Sequence, residues 1–273
     1  MIGRELSNVD NSPRSSGPAG AQFEAKVATH YALALLARTE AFGLPGAIAE
    51  EIAFQRGAQG HPLDDVVLKG ISTCGETQIL DLQAKRSISF TASDVNLASV
   101  VKAIVETRRN EPDGRKRHYA VAIERTSGPI ENGVQEALEL ARSVECVEAF
   151  STLLSTPGRS NSDMRRFVAV FREHLNNYGV TDEVELFDIL IRFSVLVFDY
   201  ARPNSIAEAH DRMRAKLLES TEVDQNLYDS LFGHIMRLDS IGGGKTRAGL
   251  IEDLQGLGVS LAGAPQLAKA RAR

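Results

Sequence analysis

With 273 residues and 43% apolar content, the chain is long enough to bury a full core in one large domain or two small ones, and it reads as globular. A formal net charge of −5 excludes a protein that coats nucleic acid by bulk charge, so a polyanionic partner must be held by local basic clusters. Cys74 and Cys146 are too few for a disulfide framework and lack C-x-x-C spacing; with no apolar signal core and no run of about 18 apolar residues to span a bilayer, the expectation is a cytoplasmic protein that does not enter a membrane.

In chain order, residues 1–18 are rich in Asn, Ser, Gly and Pro and read as a flexible leader. From Ala19 to Phe42, Phe23, Val27, Tyr31, Leu35 and Leu36 recur near helical spacing, and Gly43 with Pro45 is expected to end the helix. Glu50 to Gln55 reads as a strand, as do Val66–Leu68 and Leu80–Lys85. Ser93-Asp94 offers a cap for a helix running to Arg109, residues 118–123 form a short buried strand, and a helix follows from about Ile130 to Val144.

The chemistry gathers between Leu63 and Arg86. Side chains alternate along a strand, so Asp81, Gln83 and Lys85 share one face while Leu80, Leu82 and Ala84 share the other. Polar groups on a buried strand need partners, and a metal or a phosphate would supply them. A hard divalent cation takes oxygen ligands, which the Asp65 carboxylate and the Gln83 amide can offer. The Lys85 ammonium would then offset charge growing on a scissile phosphate.

Three elements in order, Gly20-Ala21-Gln22-Phe23-Glu24, Asp64-Asp65-Val66-Val67 and Gln83-Ala84-Lys85, resemble the PD-(D/E)XK nuclease superfamily in its Asp…Gln-x-Lys variant. Within it, residues 19 to about 150 look most like the double-stranded-DNA endonuclease domain that heads bacterial anti-phage effectors. The resemblance implies an α/β restriction-endonuclease-like αβββαβ core with a mixed sheet, followed by a mostly helical region. It implies Mg²⁺ or Mn²⁺ on Asp65 and Gln83, with Asp64 in reserve, and catalytic roles for Asp65, Gln83, Lys85 and Glu24. Glu24 reads equally as an acid favoured by the helix dipole. Effectors of this kind join the nuclease to a sensor, here expected outside the chain.

Arg108, Arg109, Arg115, Lys116 and Arg117 form the densest basic cluster and, with Arg86, are the candidate double-stranded-DNA contacts. Ser155 to Ser162 reads as a linker, which divides the chain into a nuclease domain (19–156), a helical region (157–261) and a tail (262–273). Helices are expected over 163–177, 182–192, 205–218, 224–239 and 246–257, whereas periodicity leaves Phe193 to Phe198 undecided between helix and strand. The apolar residues between Leu186 and Phe198 are expected to drive a homo-oligomer. Gly242-Gly243-Gly244-Lys245-Thr246 is not a Walker A loop, because Asp239 stands where the first glycine belongs and a helix rather than a strand precedes it; a helix end followed by a new helix is the better account. His174, His210 and His234 are scattered and read as helix-face residues rather than ligands.

Overall fold

The computed structural model describes residues 17–55, 61–110, 116–202, 205–220 and 226–262. Pro18, with φ preset for the first helical turn, opens helix α1 (Pro18–Ala37). The helix ends at Ala37, five residues before Phe42, and is capped by Arg38, which is left-handed (φ 55°) and returns its N–H to Ala34 and Leu35. The expected breakers instead shape a hairpin between β1 (Glu40–Ala41) and β2 (Leu44–Ala53). Gly43 sits there at φ 85°, and a Cβ at that position would meet Leu196 Cδ1 at 2.7 Å. Pro45 is tolerated in β2 because the ladder to the next strand begins two residues later, at Ala47.

β2, β3 (Val66–Ser72) and β4 (Thr77–Lys85) form an antiparallel meander. Helix α2 (Val95–Arg109) is capped by Asp94, whose carboxylate accepts from the Asn96 N–H at 2.7 Å and also from Leu97. It leads to β5 (Lys116–Ile123), which lies parallel to β4. A π-helical turn (Ile130–Gln135) runs into α3 (Glu136–Arg142), followed by α4 (Val147–Ser155), α5 (Ser162–Asn177) and α6 (Glu183–Arg192). The undecided run is a strand, β6 (Phe193–Val197), parallel to β5. Its side chains serve both faces, Phe193 and Val195 one core, Leu196 and Phe198 the other, which is why it reads as continuously apolar. Then come α7 (Ile206–Leu218), α8 (Leu227–Ile241), β7 (Gly244–Thr246) and α9 (Arg247–Gly256).

The result is a mixed α/β protein with one seven-stranded sheet in the order β1-β2-β3-β4-β5-β6, β7 pairing with β2. One core joins α1 and α7–α9 to Leu80, Leu82 and Ala84 of β4. The other joins α2–α6 to Tyr119, Val121 and Ile123 of β5.

This corrects the division at residue 157. The segment from Ser155 to Ser162 is a turn between α4 and α5, while β6 continues the sheet and the later helices supply parts of both cores. Of the apolar residues between Leu186 and Phe198, Leu186, Phe187, Leu190, Phe193, Val195, Leu196 and Phe198 are buried within this chain, and Ile191 and Val197 are half-buried against its core. The Gly-Gly-Gly-Lys-Thr stretch does end one helix and start another, with Gly242 (φ 67°) capping α8 and Thr246 capping α9. Between them it adds a short strand, and Lys245 pairs with Asp253 at 2.8 Å.

Helix α7 is turned against its polarity. Asp211 (1% exposed) points inward to His30 Nδ1 at 2.9 Å and to the Tyr200 hydroxyl, and Glu208 reaches Lys26 at 3.1 Å, while Ile206, Met213 and Leu217 face outward. No described helix is long and apolar enough to cross a membrane.

Candidate functional site

The start of α1 and the end of β4 frame a cleft of about 350 Å³ lined by Pro18, Gly20, Glu24, Lys85, Arg86 and Asn96, among others. The first turn of α1 carries no acidic residue, so its dipole presents positive charge there. Val66 pairs with Leu82 in the β3–β4 ladder, and one further step of that register sets Asp65 across from Gln83. Asp65 Oδ2 accepts the Ala84 N–H at 2.7 Å, fixing the carboxyl at the strand end beside Lys85. The order Glu24, Asp65, Gln83, Lys85 along the chain thus becomes a cluster in space.

Its electrostatics are uneven. Burial first, then the nearby Glu24 carboxylate, push the Asp65 carboxyl up to about 8; Lys85 and the Ala84 N–H oppose the shift, and Asp64 adds to it. Gln83 Oε1 is buried and accepts no hydrogen bond among the described residues. A buried carbonyl oxygen without a donor is costly. A hard divalent ion taking oxygen from Gln83, Asp65 and Glu24 would remove that deficit. Among the described residues no three His, Cys, Asp or Glu side chains form a metal cluster; the donor set would be two carboxylates and an amide.

Asp81 has a different role from its neighbours on the same strand face. It is fully buried, with Oδ2 accepting from Arg117 Nη1 at 2.8 Å and Oδ1 lying 2.5 Å from His61 Nδ1. Its partners are side chains of this protein, not a metal or phosphate. That trio was hidden in the sequence, because the pairing depends on β4 and β5 lying side by side in parallel.

The expected DNA-binding cluster is therefore not part of the cleft. Arg117 is 3% exposed and committed to Asp81. Arg108 pairs with Glu185 and Asp188, Arg109 donates to the Tyr178 carbonyl at 2.6 Å, and Lys116 pairs with Glu76 at 2.6 Å. Arg115 lies outside the described residues. Lys116 aligns with Gln78 and Ile123 with Lys85, which puts Lys116 about 23 Å along the sheet from the cleft. Arg108 is about 18 Å along α2 from cleft-lining Asn96. Of the described cations proposed for DNA, Arg86 alone lines the cleft; it donates to Glu124 at 3.0 Å and keeps half its side chain exposed. Ser87 and Asn96, which sequence reasoning passed over, stand beside it.

No family model matches the chain, and no curated protein matches it. Among solved structures it is similar to the Acinetobacter baumannii Cap4 SAVED/CARF-domain containing receptor with the cyclic trinucleotide 2'3'3'-cAAA, at 10% identity and a TM-score of 0.49 over 89% of this chain and 47% of that one. The Moraxella osloensis Cap4 SAVED/CARF-domain containing receptor gives 11% identity and a TM-score of 0.42 over 88% and 49%. The chain spans about half the length of these receptors.

Proposed function

We propose that the cleft between α1 and β4 is a metal-dependent phosphodiesterase site acting on double-stranded DNA, the catalytic part of an anti-phage effector. The observation that carries this reading is the orphaned, buried Gln83 Oε1 set across from a carboxyl that burial and Glu24 hold up to about 8. Asp65, Gln83 and Glu24 would hold the ion, with Asp64 adding negative charge nearby. A bound Mg²⁺ or Mn²⁺ would polarise the phosphoryl oxygen and lower the pKa of a bound water. Lys85 places an ammonium where charge grows on the phosphate, and Arg86 with the first turn of α1 holds the flanking backbone.

A second reading is favoured by one feature: an amide stands where a third carboxylate would strengthen ion binding, which suits a catalytically weak nuclease-like fold serving as an interaction module beside a ligand-binding sensor. Plasmid cleavage in Mg²⁺ separates the two. Lys85→Ala is expected to abolish cleavage while the protein keeps its melting temperature, and Lys245→Ala is expected to cut normally. If the parent fails to cut in Mg²⁺ or Mn²⁺, or Lys85→Ala cuts as fast as the parent, the nuclease reading fails and the module reading stands.

A further inference from the structure

A second and larger cleft, of about 800 Å³, lies between β6 and the β1–β2 turn. Its walls include Arg142 of α3, Arg214 of α7, His118 at the start of β5, Ser194 of β6 and Phe42 of the β1–β2 turn. The volume is that of a small-molecule site rather than of a packing defect.

Arg108, Arg117, Arg172, Arg192 and Arg212 each pair with a carboxylate. Neither Arg142 nor Arg214 forms an ion pair among the described residues. Arg142 is held by neutral groups, donating to the Ile191 and Phe193 carbonyls and to Ser194 Oγ. That fixes the guanidinium with no carboxylate in contact, Glu139 acting on its charge from beyond contact distance, and it blocks the outward Phe193 carbonyl of β6, as Gln135 does at Val195. An added β-strand is thus kept from this edge. Arg214 Nη1 is buried and has no hydrogen-bond partner among the described residues. The positive field shows on His118, whose imidazole is pushed down to about 4 by burial and then by Arg192, Arg142 and Lys116. Glu40, an exposed acid, is also in the wall. Phe42 packs edge-on to His30 and Phe198 yet stays 47% exposed, an unusual position for a phenylalanine.

We propose that this cleft binds a nucleotide, its phosphate on Arg142 and Arg214 and its base against the Phe42 ring. Planar guanidinium groups match phosphate oxygens with paired hydrogen bonds, and an aromatic face receives any base. The site lies two strands across the sheet from Lys85 and would be filled independently of metal-dependent cleavage.

The test titrates AMP and inorganic phosphate into the full chain, reading affinity by calorimetry and the His118 imidazole by NMR. AMP is expected to bind more tightly than inorganic phosphate and to raise the His118 pKa, because added negative charge favours the imidazolium. Arg214→Gln should weaken AMP by about tenfold or more. Phe42→Ala, a change at an exposed position, should weaken AMP but not inorganic phosphate. The proposal is overturned by absence of binding at millimolar AMP, by an unmoved His118, by equal affinity for AMP and inorganic phosphate, or by unchanged AMP affinity in both cleft variants. Should Arg214→Gln fail to fold, Phe42→Ala and the His118 response of the parent decide the matter by themselves.

Discussion

Arg117→Met is expected to unfold the protein more readily rather than loosen its grip on DNA. Arg117 and Asp81 have side chains 4% and 0% exposed and meet at 2.8 Å, so removing the guanidinium leaves a carboxylate in the sheet interior. Breaking a buried pair from one side costs about 3–5 kcal/mol. His61 remains 2.5 Å from the other carboxylate oxygen and keeps one partner in place, which points to the lower end, about 3 kcal/mol. At roughly 2–4 °C per kcal/mol in a chain of this size, the melting temperature should drop by about 10 °C. Thermal and urea unfolding measure this directly. Replacing both partners, Asp81→Leu with Arg117→Met, should recover most of the loss, since the pair's desolvation is then avoided. The reasoning is refuted if Arg117→Met melts within about 2 °C of the parent while its DNA affinity becomes less dependent on salt, the behaviour of a lost phosphate contact.

Two further outcomes follow from the geometry. A chain ending at Pro157 loses β6 and α5–α9, hence parts of both cores, and should lack a cooperative melting transition by circular dichroism; a folded truncation would restore the two-domain division. Asp65 carries a folded-state pKa raised from 3.8 to about 8, so its contribution to stability is fully present below about pH 4 and is lost as pH rises toward 8. Asp65→Asn should therefore raise the melting temperature at pH 8 and leave it unchanged at pH 4, and Mg²⁺ should stabilise the parent but not the variant at pH 8; a variant that melts at the parent's temperature at both pH values would mean that the Asp65 carboxyl is not strained by its surroundings.

The elements were largely legible because their causes are local. Asp94 before Val95, the alternation of Leu80, Leu82 and Ala84 with Asp81, Gln83 and Lys85, and Thr246 before α9 are set by residues within a turn or two of each other, and each appears where the pattern puts it. The approach of Asp65 to Gln83 was also foreseeable, because a short hairpin leaves few registers.

What lay beyond the sequence is what depends on the pairing of distant segments. Helical periodicity places α7 on a surface but not its rotation, which is decided by Lys26, His30 and Tyr200 drawing Glu208 and Asp211 inward. The run of basic residues around Arg117 looks like one surface in a list of letters; folding splits it, since a strand turns successive side chains to opposite faces and β4 delivers Asp81 to only one of them. Phe193 to Phe198 is apolar in either conformation, and it became a strand because the open edge of β5 supplied hydrogen bonds that a helix there would have left unmade. The sequence by itself determined the local elements and the residue types of the candidate site, while the tertiary structure decided which charges were left for a ligand after the others had found partners inside the protein, because that pairing is a property of register and packing and not of spacing along the chain.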